Sequence, residues 1–357
     1  MNNPFKFGSV VDDPYFTDRT RELAYIKHYM DSANHLVLIS PRRFGKTSLV
    51  KKAMKETGRP NIFINLQMAV STESLAALIL KEIFKLHPLE KIKHLMTHFR
   101  VIPTISTTPF SDAVDVSFQP TANTSVVIED AFALLERVSA ADNRLIVVFD
   151  EFQEIIGIEK GLDRRLRAIM QEQRNVNYIF LGSQESMMTQ IFERKKSPFY
   201  HFGMLMHLDK IPYDDFMAYI TERMPQQSDL NREAIAKEIL TITRCHPYFT
   251  QQLASQVWEI ASYSNAAHSD IVSEAVEQLT TIHDLDFERL WMNFNKTDKY
   301  IMLSLTRGQQ MSVMRSLPTS TVYSSIKRLM QTGYVIKTDD YEVEDPFFKN
   351  WIVKKQM

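Results

Sequence analysis

The segment Ser40-Pro41-Arg42-Arg43-Phe44-Gly45-Lys46-Thr47-Ser48 has the residue types and spacing needed to hold a phosphate chain. Such an oligoanion needs backbone N–H groups aimed at it, a helix N-terminus whose dipole favours its charge, and a cation that reaches the outer oxygens. Gly45 lets the backbone come close, Lys46 supplies the charge, and the Thr47 hydroxyl suits a magnesium ion. The general pattern G-x-x-x-x-G-K-[ST] expects glycine where this chain has Ser40, followed by Pro41; a small residue still permits the turn. The competing reading of PRRFGK is a basic helix start on a solvated surface.

A second constellation is independent of the first. Ile146 to Phe149 lead straight into Asp150-Glu151, which predicts carboxylates at the carboxyl end of a buried strand, where α/β sheets place their ligands. In that position Asp150 would join a Mg²⁺ shell, and Glu151 would orient and deprotonate a water attacking a γ-phosphate. Acids also start helices, so the pair alone is ambiguous; together the two sites predict ATP binding. A further strand ends in LGSQES and places Ser183 and Gln184 at the same edge, to hydrogen-bond the γ-phosphate or the water, unless Ser183 or Ser186 is simply a helix cap.

These residues need a sheet to hold them. Short, continuously apolar runs recur at 35–40, 61–66, 144–150, 177–183 and 204–211, separated by helical patterns, and predict strands of a parallel α/β sheet covered on both faces. The connection from Ser71 to Asn143 is long; helices are expected over Leu75–Leu86 and Val126–Val138, with an inserted hairpin or loop within 88–125. After Pro212 the pattern is helical to about residue 304, with helices over Asp214–Arg223, Arg232–Thr243, Tyr248–Ser262 and Ser269–Ile282. Helices near 297–305, 310–315 and 319–332 follow, then a hairpin of Tyr334–Lys337 and Tyr341–Val343 turning at Asp339-Asp340. The division expected is a core to 211, a helical part over 212–285 and a small terminal domain over 286–357.

Composition narrows the function classes. The 42 basic and 43 acidic residues leave a net charge of −1, so no overall field draws nucleic acid or anionic membrane, and any DNA contact must be local. The one cysteine, Cys245, and a start without the apolar stretch of a signal peptide predict a soluble protein of the reducing cytoplasm. The ten histidines show no metal-like spacing with Cys or acidic partners, and the 18 methionines read as core filler.

In these residues the chain resembles the archaeal-type ATPase family, a branch of the STAND group related to AAA+ and origin-recognition ATPases. The family's F-x-x-R-x-x-E-L is matched by Phe16, Arg19, Glu22 and Leu23, its P-R-R-x-G-K-T-S-L by Pro41 to Leu49, and its D-E-F-Q by Asp150 to Gln153. Its G-x-P element appears as Cys245-His246-Pro247, with Cys where glycine is usual. The resemblance implies a P-loop core of sheet order 5-1-4-3-2, a helical lid and a C-terminal winged helix, with Phe16, Arg19 and Pro247 beside the nucleotide base. It implies ATP and Mg²⁺ as ligands and a slow, nucleotide-gated switch with an unknown protein partner. A DNA-associated loader or motor is the alternative, and a scaffold with vestigial hydrolysis is disfavoured by the intact Asp150-Glu151. The family's S-P-L-Y-G-R arginine, which could act as a finger, is replaced by Phe202; Arg194, Lys195 and Lys196 could stand in, or form a solvated charge run.

The third helix of that winged helix, TSTVYSSIKRLMQTG, is expected to start at a Ser/Thr cap and to bury Val322, Ile326, Leu329 and Met330. Ser324, Ser325, Lys327, Arg328 and Gln331 would then face outward. The acids Asp339, Asp340, Glu342, Glu344 and Asp345 would oppose a DNA backbone, which makes DNA the less favoured partner.

Overall fold

The computed structural model describes residues 2–17, 19–87, 89–107, 114–119, 123–226, 230–263, 270–309, 318–338 and 340–356. Its contacts divide the chain into two compact units, one of residues 20–40 and 46–208, the other of residues 1–19, 41–45 and 209–357.

The first unit runs α1 (Thr20–Asp31), β1 (Leu36–Ile39), α2 (Lys46–Thr57), β2 (Asn61–Asn65), α3 (Thr72–Leu86), α4 (Leu89–Met96), β3 (Thr104–Thr107), β4 (Val114–Ser117) and α5 (Thr124–Val138). It continues with β5 (Leu145–Asp150), α6 (Ile155–Ile158), α7 (Leu162–Glu172), β6 (Val176–Gly182), α8 (Glu185–Phe192) and β7 (Met204–His207). Five strands form one parallel sheet in the order β2-β5-β6-β1-β7. Counting only these strands, that is the expected 5-1-4-3-2. The central strands β1, β5 and β6 are buried at every residue, as their unbroken apolar runs demand. The two edge strands correct the expectation of full cover: β2 alternates between buried and half-buried residues, and β7 leaves Met204 and His207 exposed. The insertion contains an antiparallel hairpin, β3 on β4, preceded by the short α4.

Aromatic rings fill the space under the carboxyl end of β5 and β6. Phe149 on β5 stacks on Tyr178 and Phe180 of β6 at 6.1 and 6.2 Å, and Phe152, just beyond the acidic pair, meets Phe180 at 4.5 Å. Offset pairs of this kind add about 0.5–1.5 kcal/mol each beyond burial. The carboxylates therefore leave the sheet beside a packed aromatic cluster.

The second unit contains α9 (Tyr213–Arg223), α10 (Arg232–Thr243), α11 (Pro247–Tyr263), α12 (Ile271–Ile282), α13 (Asp284–Asn293), α14 (Lys296–Thr306), α15 (Thr319–Gln331), the antiparallel pair β8 (Val335–Lys337) and β9 (Tyr341–Val343), and α16 (Pro346–Gln356). One hydrophobic core runs from Phe5 and Phe216 through Phe249, Leu253 and Trp258 to Ile326, Phe347 and Trp351. The expected helix at 310–315 and the turn residue Asp339 lie outside the described residues. Three expectations for the C-terminal part need correction. The segment after β9 forms α16, because Asp345 accepts from the backbone N–H groups of Phe347 and Phe348 and so starts a helix. Pro318, not a Ser or Thr, occupies the cap of α15, with no side-chain bond. Ser325 is buried and donates to Asp298 of α14, so it is not offered outward, whereas Arg328 donates to the same carboxylate while remaining exposed, as expected. Glu342 likewise turns inward to Lys210 and Arg244. Among the described residues, no helix is long and apolar enough to cross a membrane.

Candidate functional site

In the first unit, α2 begins at Lys46, directly after the end of β1 and the loop. Lys46 is 6% exposed and its ammonium donates to the carbonyl of Ser40 at 3.2 Å, with Ser40 itself buried. One residue on, Thr47 Oγ1 donates to Asp150 Oδ2 at 3.1 Å across 103 residues of chain. The start of α2 and the acidic end of β5 are thus brought together. Burial and the neighbouring Glu151 charge push the Asp150 carboxyl above the usual Asp value, against the Thr47 bond, Lys46 and the Glu151 N–H, which favour its charge.

Glu151 has φ 54, a left-handed backbone at a non-glycine residue. That turn brings its side chain to Ser183 Oγ, which donates to Oε2 at 2.6 Å, and to Gln153 Nε2, which donates to the same oxygen at 2.5 Å. Both bonds fall on Oε2, which orients the carboxylate and leaves Oε1 to face a water. Gly182 sets Ser183 in place: a Cβ there would fall 2.3 Å from the side chain of Met188 on α8. Ser183 is not a helix cap, since Gln184 holds the cap position of α8 and makes no side-chain capping bond. Gln153, which is fully buried, has no role assigned from the sequence; its place at the end of the D-E-F-Q match was the available signal. Ser48 is half-buried on α2.

The second unit gathers the remaining candidates. Arg19, 5% exposed, donates from Nη2 to the carbonyl of Phe44 at 3.2 Å and to that of Asp209 at 2.8 Å. Phe16 is half-buried three residues earlier. Gly45 and Arg43 have φ 86 and 64, so the loop turns through left-handed conformations where glycine is cheapest. Arg42 is exposed and Pro41 half-buried. Arg43 lies over the Tyr248 ring at 4.5 Å, and Phe44, buried, meets the ring of His246 at 4.9 Å. Pro247 is buried at the first position of α11, where its missing N–H costs nothing.

Residues 16–248 match the model of a family described as an ATPase domain predominantly from Archaea. The chain belongs to this family of ATPases. The ATPase is similar in fold to the Walker-type ATPase of Pyrococcus abyssi, with a TM-score of 0.69, 16% identity, and 98% of this chain and 99% of that one covered. It is also similar to the Aeropyrum pernix ORC2 protein, described in ADPNP-ADP complexes, at TM-score 0.57 and 14% identity over 99% of each chain. The Aeropyrum pernix ORC1 protein, described in complex with DNA, matches at 0.54 and 13% identity over 100% and 98%. No curated protein sequence matches the ATPase.

Phe202 is built into the first unit. Its ring carries the Arg167 guanidinium at 4.2 Å and packs on Phe199 and His35. Arg194, Lys195 and Lys196 are exposed, as a solvated charge run would be.

Proposed function

We propose that this ATPase binds ATP with Mg²⁺, hydrolyses it slowly, and uses the bound nucleotide to gate an interaction with a protein partner. The reading is carried by one observation: Lys46, Thr47 and Asp150 lie together at the end of the sheet, with Glu151 held beside them by Ser183 and Gln153. Lys46 would bind the outer phosphate oxygens, and the backbone N–H groups of Arg42 to Thr47 would line the rest of the chain of phosphates. Thr47 and Asp150 present one hydroxyl and one carboxylate 3.1 Å apart, an all-oxygen donor pair that fits Mg²⁺, whose other ligands are ordinarily phosphate and water. When bound, that ion neutralises charge on the phosphates. Glu151 Oε1 would hold the attacking water and take its proton, while Ser183 and Gln153 keep the carboxylate from rotating. Gln184 would reach the γ-phosphate, and Phe16, Arg19 and Pro247 would line the base.

Slow turnover follows from Phe202, which removes the one arginine the family could offer to the transition state. An ATPase core to about residue 211, a helical lid over 212–285 and a winged helix from 286 are the parts we assign to the switch, in a cytoplasmic, STAND-type protein. Duplex DNA is the weaker partner, since of the two exposed cations Lys327 and Arg328 the second is already paired with Asp298.

Two substitutions test the reading. Lys46→Ala should weaken ATP binding sharply in calorimetry. Glu151→Gln should keep nucleotide and lose about 10²-fold or more in turnover, the scale of a missing general base. Parental turnover in Glu151→Gln, or parental affinity in Lys46→Ala, would sink it.

A further inference from the structure

His246 occupies an unusual turn. Arg244 and Cys245 both adopt left-handed backbone, φ 51 and 58, and α11 starts one residue after His246. The turn drives the imidazole into the core, where it is 1% exposed and neither ring nitrogen has a hydrogen-bond partner among the described residues. Burial pushes its basicity down, so the ring is neutral under ordinary conditions, although Glu344 pulls the other way and Lys210 and Arg43 add to the lowering. A buried imidazole without a bonded nitrogen is costly, and its use here is as a surface for other rings. Phe44 of the phosphate loop stands edge-on to it at 4.9 Å and Phe249 of α11 lies at 4.6 Å.

Two further contacts hold the same stretch of loop: Arg43 over Tyr248, and Arg19 on the carbonyl of Phe44. On its other side His246 faces the terminal hairpin. Its Nε2 lies 3.8 Å from a Glu344 carboxylate oxygen, an ionic neighbour beyond hydrogen-bond length. Glu342, two residues earlier, is bound by Lys210 at 2.5 Å and by Arg244, the residue that opens the turn. Together Arg244, His246, Glu342 and Glu344 line a cavity of about 310 Å³.

We propose that His246 is a positioning residue for nucleotide binding: its ring seats Phe44 and so fixes the loop from Pro41 to Gly45, and its edge faces Glu344, which links the position of that loop to the position of the β8–β9 hairpin. The proposal rests on the phosphate-binding role assigned above to residues 40–48. A nucleotide that changes the loop changes the contact of Phe44 with the ring, and the ring passes that change to the hairpin that its edge faces.

The test uses the full chain with ATP and Mg²⁺. Phe44→Ala and His246→Ala should each weaken ATP binding by about 5-fold or more in calorimetry, with KM rising by a larger factor than kcat falls, as loss of loop position requires. His246→Phe keeps a ring and should return affinity to within about 2-fold of the parent, a rescue that a general structural defect would not show. Hydrogen exchange of the amides of residues 335–343 should change on ATP addition in the parent and not in His246→Phe, which lacks the ring nitrogen facing Glu344. Lys46→Ala separates the two claims: if it binds ATP as the parent does, the phosphate-site reading fails first. If Lys46→Ala is weak but Phe44→Ala and His246→Ala stay within about 2-fold of the parent, the role of His246 is overturned and the phosphate site stands. A loss in His246→Phe as large as in His246→Ala overturns the ring as the seat, and hairpin exchange that ignores ATP in the parent, or that follows it equally in His246→Phe, overturns the link. Should His246→Ala fail to fold, Phe44→Ala and His246→Phe give the same decision.

Discussion

Glu151 and Cys245 hold left-handed backbone without being glycine, at φ 54 and 58, and they illustrate two uses of local strain. At Glu151 the turn re-aims a carboxylate off the end of β5, and the strain is tied to the arrangement with Ser183 and Gln153. Cys245 stands where the family usually has glycine, and its half-buried sulfur, whose thiol burial pushes up, only packs against the core. Cys245→Val adds a β-branch to a left-handed residue and should cost about 1–3 kcal/mol, whereas Cys245→Gly should stay within about 1 kcal/mol of the parent in thermal unfolding. Equal losses in both would show that the thiol's packing, and not the backbone, matters there. Asp345 offers a pH test. Burial and the neighbouring Glu344 push its carboxyl up to about 6 from 3.8, against the Phe348 and Phe347 N–H bonds and His283. Because the folded value lies above the unfolded one, the charged form costs stability above pH of about 6, and that cost disappears as the pH falls toward about 4. Asp345→Asn keeps a helix-capping acceptor without the charge, so its melting temperature should exceed the parent's at about pH 8 and match it at about pH 4. An advantage independent of pH would refute the assignment.

At the scale of elements, the long apolar strands were the readable part, and the polar residue inside one of them was not. Asn177 opens the expected strand at 177–183 and could have been a boundary; it is instead an interior residue of β6, 1% exposed. Its Nδ2 donates to the carbonyls of Tyr29, Ser32 and Asn34 at 3.3, 3.3 and 2.7 Å, and so ties the end of α1 and the turn into β1 to the centre of the sheet. Asn177→Ala should cost about 2–3 kcal/mol by leaving those carbonyls without a donor, and a denaturant midpoint unchanged from the parent would exclude the role. The end of the chain shows the opposite failure. Alternation in Tyr334–Val343 revealed the hairpin, but α16 was hidden, since its apolar residues Phe347, Phe348, Trp351 and Ile352 follow a hairpin without a glycine or a Ser/Thr cap and only Asp345 marks the start.

At the scale of the whole molecule, the absence of a finger at Phe202 has a consequence for assembly. The ring is held by Arg167, Phe199 and His35 within its own unit, so no cation stands there to cross an interface. Specific ATPase activity should be flat against protein concentration; steep growth would make Arg194, exposed in the neighbouring charge run, the residue to examine. Motif spacing and apolar runs were enough to establish the parallel sheet, its strand succession, the phosphate loop and the acidic strand end, because each is set within a few residues by backbone geometry and the need to bury a face. The sheet order came from family resemblance, and β2-β5-β6-β1-β7 agrees with it. Packing alone decided the pairings across long stretches of chain. Ser183 meets Glu151 over 32 residues, and Phe44 meets His246 from opposite ends of the family's motifs. Asp298 draws Ser325 away from the surface that its helical phase had assigned it, and pairs with Arg328, which stays exposed. Helical phase says which way a side chain points but not what waits there, and a buried carboxylate such as Asp298 captures any donor within reach because leaving it unpaired costs more than bending a long side chain toward it.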